Sequence, residues 1–325
     1  MLLRADQLDM PILNRQYPKN IPSGKAPVIS IGLASYNRPL LLQRAISSII
    51  NQKYPNLEIL INDNGSTDPA VKTIIESFQE TDNRVKAFFE PKNKGPFFNF
   101  RVLLSKATGD YFIWLADDDC WGDDFLSNLL SAAHQSGAAL TYGRAVGVTS
   151  ELSSIIQPSL KEMKTDLNRG TSLLSFVLFD SDSIFYGMFK TREGQKLSRL
   201  LTEWSIPKYI HNVYPFLSYN FPSYVFIYGL LSKGGFCNAA GENIVHYVGG
   251  GSPNKNSSGI TTSHFSLITG YVYMHAQMTF RLFTASLLMH SWKGFIFAPF
   301  ASGYLFFRRI LVALINRRNR NKNKR

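Results

Sequence analysis

From Pro27 to Tyr142 short apolar, β-branched runs alternate with helical stretches, and this alternation leaves few folds open. "PVISIGLAS", "NLEILIND", "RVKAFFE", "DYFIWLA" and "AALTYG" read as strands, most of them apolar enough to be buried on both faces. Between them lie "RPLLLQRAISSIINQ", "DPAVKTIIESF", "GPFFNFRVLLSKATG" and "GDDFLSNLLSAAHQSG". In the first, Leu41, Leu42, Ala45, Ile46, Ile49 and Ile50 recur at helical spacing, Pro39 suits the first turn, and Asn37 or Arg38 can cap it. Asp68 caps the second, Gly95 opens the third with Gly109 ending it, and Asp123 caps the fourth with Gly137 ending it. Strand followed by helix, repeated in this way, predicts an α/β fold with a mostly parallel central sheet and flanking helices.

In such sheets ligands gather at the carboxyl ends of the strands. Every polar cluster of this region falls at such an end: "SYNR" after the first strand, "NDNGSTD" after the second, "ADDD" after the fourth. Asp117, Asp118 and Asp119 stand directly behind an apolar run. Three adjacent carboxylates repel, and removing them from water is costly without a counter-charge. If the strand carries on through them, Asp117 and Asp119 point to one side. A hard divalent cation, Mg²⁺ or Mn²⁺, takes carboxylate oxygens and keeps room for substrate phosphates. A solvated acidic turn leading into the next helix is the competing reading, and it suits Asp123 and Asp124.

The motifs "VISIGLASYNRPLLLQRAISSIINQKYPNLEILINDNGSTD" and "NKGPFFNFRVLLSKATGDYFIWLADDDCW" resemble the nucleotide-sugar half of inverting glycosyltransferases of family 2, with the GT-A fold. The resemblance runs from Val28 to Tyr142 and rests on the order and spacing of the motifs together. It implies a nucleotide-diphosphate sugar donor, most often a UDP-sugar. It also implies that Ala34, Ser35 and Tyr36 line the nucleotide and that Asp63 accepts a hydrogen bond from the base. Lys94, Gly95 and Asn99 would sit beside base and ribose, Asp117 and Asp118 would face ribose and diphosphate, and Asp119 would hold the metal, Mn²⁺ or Mg²⁺. A late histidine completes the metal site in related enzymes, and His246 stands at the matching place, ahead of Gly249 to Gly251 and Lys255.

Inversion needs a general base for the acceptor hydroxyl. The family's aspartate is missing here, with Ser223 and Tyr224 near its place. Asp180, Asp182, Glu203 and His211 are nearby alternatives, and Asp182 is favoured because it leads into a strand-like run, "SIFYGMFK". The missing acid leaves two other readings open: a nucleotide-sugar-binding protein without transfer activity, and a nucleotidyltransferase. The latter more comfortably carries a Gly-rich phosphate loop near the first strand, which this sequence does not.

Charge is uneven. Residues 308 to 325 carry +8 of the net +12, with no acid among them, and follow an apolar stretch, "GFIFAPFASGYLFF". Two arginines interrupt that stretch before it reaches the length of a spanning helix. The pattern predicts a helix in the membrane interface with its basic tail on anionic headgroups, or else an amphipathic helix packed on the domain. Nucleic acid is excluded as a partner because the charge is confined to the tail and no recognised module precedes it. Two cysteines make no disulfide framework. With no apolar signal segment in the first twenty residues, the expectation is a cytoplasmic protein, peripheral at the inner face of the membrane, acting on a glycan or lipid-linked acceptor. The expected division is a leader over 1–26, a nucleotide-sugar half over 27–145, an acceptor half with a mobile loop over 146–260, and a basic helical segment over 261–325.

Overall fold

The computed structural model describes residues 26–149, 155–156, 165–179, 183–202, 221–248, 264–305 and 307. The expected strands and helices of the first half form β1 (Ile29–Ser35), α1 (Pro39–Ile50), β2 (Leu57–Asp63), α2 (Pro69–Thr81), β3 (Val85–Phe89), α3 (Pro96–Lys106), β4 (Tyr111–Ala116), β5 (Asp119–Trp121), α4 (Phe125–Ser136) and β6 (Leu140–Thr149). Pro sits in the first turn of α1, α2 and α3, where its missing N–H leaves no intrahelical bond unmade. The Asp68 carboxylate caps α2 through the Ala70 amide at 2.9 Å. α3 stops at Lys106, short of Gly109, because Ala107 is already extended. α4 starts after Asp124, not Asp123, and Asp124 makes no cap bond. It pairs with exposed Lys53 at 2.7 Å instead.

The main sheet has the order β3-β2-β1-β4-β8, where β8 is a short strand, Phe189–Lys190. β1, β2, β3 and β4 are mutually parallel and β8 is antiparallel to β4. β1 and β2 are almost wholly buried, as their unbroken apolar character requires. The second sheet has the order β5-β9-β6-β7, with β7 at Ile155–Ile156 and β9 at Phe236–Val248. β6 runs through residue 145, where the sequence suggested a division, and pairs in parallel with β9. The fifth expected strand therefore builds a second sheet and does not extend the first.

At the amino edge of the main sheet a buried carboxylate ties four segments together. Glu58 of β2 accepts hydrogen bonds from Ser30 Oγ of β1, from Lys86 Nζ of β3 at 2.8 Å, and from the Thr108 amide and hydroxyl before β4, both at 2.8 Å. Burial pushes its pKa up, but these bonds prevail and hold it down at about 2.

The later elements lock onto β4 through aromatic packing. The run "SIFYGMFK", expected as a strand, is a 3-10 turn at Ser183–Tyr186 followed by β8. Phe185 in that turn stacks on Trp114 at 4.3 Å, and Phe226 meets the same indole edge-on at 5.2 Å. Phe226 belongs to a buried helix, Phe221–Lys233. A 25-residue helix, His264–Leu288, packs on that one, and a last helical stretch covers 292–305. No helix among the described residues is long and apolar enough to cross a membrane.

Candidate functional site

Parallel register brings the carboxyl ends of three strands level. Ser35 of β1 pairs with Asp63 of β2, and Ala34 pairs with both Asn62 of β2 and Ala116 of β4. The loops after these strands therefore meet. β4 does not continue through the aspartates. The chain turns at 117–118, and Asp119 begins β5 in the second sheet. The alternation that would set Asp117 and Asp119 on one side thus gives way to a step between two sheets. The far end of that step is held by Gln52, after α1. Its amide donates to the Gly122 carbonyl at 2.6 Å and accepts from the Leu126 amide at 3.0 Å.

Asp117, Asp118 and Asp119 are all less than a tenth exposed. One guanidinium nitrogen of Arg38 donates to Asp117 at 2.9 Å and to Asp118 at 3.0 Å. The Asp117 carboxyl is nonetheless pushed up to about 6. Burial is the largest cause and Asp118 adds to it, while Arg38 and the Tyr36 amide oppose it. Arg38 is also the residue that precedes α1, and it gives that helix no side-chain cap. The sequence pointed to Arg38 only as a possible cap. The available signal was a basic residue in one strand-end loop with a run of acids in another.

Asp119 opens β5 directly opposite His246 of β9 in an antiparallel register. The two residues expected to share a cation therefore stand at one rung of the second sheet. Among the described residues no three His, Cys, Asp or Glu side chains gather closely enough to hold an ion between them.

The loop after β2 is tied to its neighbours by asparagines. Asn37, itself at φ 54°, accepts from the amides of Thr67 at 2.8 Å and Asp68 at 3.1 Å, and its own amide donates to Ser66 Oγ at 2.8 Å. Asn64 donates to Asn93 and to the Gly95 carbonyl, both at 3.0 Å, and accepts from the Lys94 amide at 3.0 Å. Gly65, at φ 74°, lies so close to Lys92 that a Cβ would stand 2.5 Å from its carbonyl carbon. Gly95, at φ 85°, is the residue before α3.

The remaining predicted residues gather here too, several already engaged. The Asp63 carboxylate accepts from the Ser66 hydroxyl and amide of its own turn. Lys94 Nζ pairs with Glu90 at 2.6 Å and lies 4.5 Å from the Phe98 ring centre. Asn99 is buried, exchanging side-chain bonds with Asn62 (2.8 Å from Asn62 Nδ2, 3.1 Å to the Asn62 carbonyl), so it ties α3 to β2. Two buried polar atoms at these strand ends, Ser35 Oγ and Asn62 Oδ1, have no partner among the described residues. Tyr36 is exposed beside them and Ala34 is half-buried.

Ser223 and Tyr224 are buried in the helix Phe221–Lys233, Tyr224 against Phe176 at 4.3 Å, and offer no carboxylate. Asp180, Asp182, Glu203, His211, Gly249 to Gly251 and Lys255 lie outside the described residues.

The model of glycosyl transferase family 2 matches residues 30–199, more than half of the chain. The chain belongs to glycosyl transferase family 2. Among curated relatives, an uncharacterized glycosyltransferase of Haemophilus influenzae is 39% identical over 117 residues, 36% of this chain and 46% of that one. The GalNAc(5)-diNAcBac-PP-undecaprenol beta-1,3-glucosyltransferase of Campylobacter jejuni is 35% identical over 121 residues, 37% of this chain and 38% of that one. These matches span less than half the length of either relative. Among solved structures, S. aureus TarS 1-349 in complex with UDP-GlcNAc aligns with a TM-score of 0.52 at 14% identity, over 84% of this chain and 73% of that one. The family 2 chain thus has the GT-A fold.

Proposed function

We propose that this chain is an inverting glycosyltransferase that moves a sugar from a UDP-sugar to a glycan or lipid-linked acceptor. The observation that carries the proposal is the meeting of three strand ends at a buried aspartate trio, two members of which, Asp117 and Asp118, are engaged by Arg38. In the reaction an acceptor hydroxyl oxygen attacks the anomeric carbon. The bond from that carbon to the diphosphate oxygen breaks, the diphosphate leaves with the electron pair, and a carboxylate takes the hydroxyl proton.

Ser35 and Asn62 carry unpartnered buried polar atoms at the ends of β1 and β2, beneath the place for the ligand, with Ala34 and Tyr36 beside them. Asp63 takes the base, which requires it to exchange its bond to Ser66. Lys94 and Gly95 flank base and ribose, and Asn99 acts by holding Asn62 in place. Asp117 and Asp118 face ribose and diphosphate. A cation pairing with substrate oxygens suits Asp119 and His246: one carboxylate and one imidazole leave places for diphosphate and water, as Mg²⁺ or Mn²⁺ prefers. When bound, that cation would neutralise charge on the departing diphosphate. Asp182 is the proposed base. Three residues after it, Phe185 is stacked on Trp114 of β4, the strand that leads into the trio. The lipid-linked acceptor draws support from the Campylobacter jejuni relative, whose name includes an undecaprenol diphosphate glycan.

The test is UDP release from a panel of UDP-sugars with and without Mn²⁺, for the full chain and for Asp119→Asn and Asp182→Asn. Turnover that needs Mn²⁺ and falls at least about a hundredfold in both variants is expected. UDP-sugar binding with no turnover on any offered lipid-linked or glycan acceptor would favour a binding protein. Affinity indifferent to Mn²⁺ and to Asp119→Asn would remove the cation from the proposal.

A further inference from the structure

The helix His264–Leu288 and the stretch 292–305 form an antiparallel hairpin that turns at His290, a residue with φ 52°. Phe283 meets Phe295 at 4.4 Å near the turn, and Ser302 Oγ donates to the His275 carbonyl at 3.1 Å further along. One stripe of the hairpin is fully buried: Met278, Leu282, Ala285, Ala298, Ala301 and Leu305. It docks on the helix Phe221–Lys233, where Tyr228 donates to the Gly294 carbonyl. Packing there is close, since a Cβ on Gly229 would lie 3.3 Å from Ala285.

The opposite stripe is apolar and uncovered. Phe280, Leu287, Trp292, Ile296 and Phe307 each expose between 63% and 70% of their surface, and Phe300 exposes 51%. Trp292, Ile296 and Phe300 recur every four residues, so they share one helix face, as do Phe280 and Leu287 seven apart. Large apolar side chains left uncovered in this number mark a contact surface. The charge of the sequence around it narrows the occupant. From Asn243 to Arg325 the chain has no Asp or Glu and eleven Lys or Arg, eight of them after Phe307. Lys293 Nζ lies 5.9 Å from the Trp292 ring centre, at the start of the second helix. Two copies of a segment this basic in sequence repel each other, whereas an anionic partner is attracted. A bilayer offers negative headgroups above hydrocarbon, which matches aromatic and aliphatic side chains flanked by cations.

We propose that this hairpin face is a membrane-docking surface that lies in the headgroup region of an anionic bilayer without crossing it. Its rigid packing on the helix Phe221–Lys233, which meets Trp114 through Phe226, couples the docked hairpin to the strand that carries the aspartate trio. The docking is independent of whether the site transfers sugar.

The experiment is flotation of the full chain with vesicles of phosphatidylcholine alone or mixed with phosphatidylglycerol. The expected result is flotation with the anionic vesicles, weakened by high salt, and about tenfold weaker with the neutral ones. The variant Trp292→Ser/Ile296→Ser/Phe300→Ser should lose at least about tenfold in binding. It should keep a cooperative melting transition, because Trp292 and Ile296 face solvent and Phe300 is half exposed beside Phe297 and Tyr304. A second variant replaces the arginines and lysines after Phe307 by glutamine and should lose the preference for anionic vesicles. Equal flotation of wild type and the triple variant overturns the proposal. So does a lipid-independent dimer that the triple variant abolishes, since that result assigns the face to a second copy.

Discussion

Replacing Glu58 by glutamine tests whether the sheet's amino edge is held by charge or only by packing. Glu58 is 6% exposed and serves three strands and the turn before β4. Its pKa falls from the ordinary 4.5 to about 2 on folding. A carboxylate with a depressed folded pKa stabilises the fold above its unfolded pKa, and that stabilisation is lost as pH falls toward the folded value. The shift corresponds to about 3 kcal/mol at pH 7, and to about 1 kcal/mol at pH 3, where the unfolded chain has already taken up the proton. Lys86 makes the largest opposing contribution to the burial penalty, but it is more than half exposed, so solvent screens its share and the bonds from Ser30 and Thr108 add the rest. Glu58→Gln keeps the shape but turns one acceptor into a donor facing Ser30 or Thr108. Urea unfolding of wild type and variant should therefore differ by about 3 kcal/mol at pH 7 and by about 2 kcal/mol less at pH 3. A gap of the same size at both pH values would refute the reasoning, because a packing defect does not titrate.

At the other edge, Arg38→Ala removes the bond to both Asp117 and Asp118 and should lower the affinity for a UDP-sugar with Mn²⁺ about tenfold by calorimetry. Arg38→Lys should recover part of it, because a single Arg38 nitrogen serves both carboxylates; no difference between the two variants would make Arg38 a spacer. Gly65→Ala must adopt φ 74° with its Cβ 2.5 Å from the Lys92 backbone, and a loss of about 2 kcal/mol is expected in urea. An unchanged midpoint would mean that the 92–95 loop moves aside freely.

Much of the first half was legible because its signals are local. Pro39, Pro69 and Pro96 start helices, Asp68 caps one, and the unbroken apolar runs of β1 and β2 announce burial on both faces. The meeting of "SYNR", "NDNGSTD" and "ADDD" also follows from sequence, since parallel strands bring their carboxyl ends to one edge. That meeting puts a basic loop near an acidic one, but the bond of one Arg38 nitrogen to both Asp117 and Asp118, 79 and 80 residues away, was set only by β1 lying next to β4. Asn99 reads as a ligand in its motif, yet its amide is used by Asn62, a partner supplied by the packing of α3 on the sheet.

Periodicity determined that elements exist and which stripe of each is apolar; it is set by neighbours two to four residues apart. Tertiary structure alone decided which sheet each strand joined and which stripes were covered. β6 left the main sheet to pair with β9, the trio became a step between two sheets, and Asp119 came to stand opposite His246. The two C-terminal helices likewise have apolar residues on several sides, and only docking on the helix Phe221–Lys233 separates the buried Leu282 and Ala298 from the exposed Leu287 and Ile296. These outcomes turn on contacts between residues far apart in the chain, which local spacing does not encode.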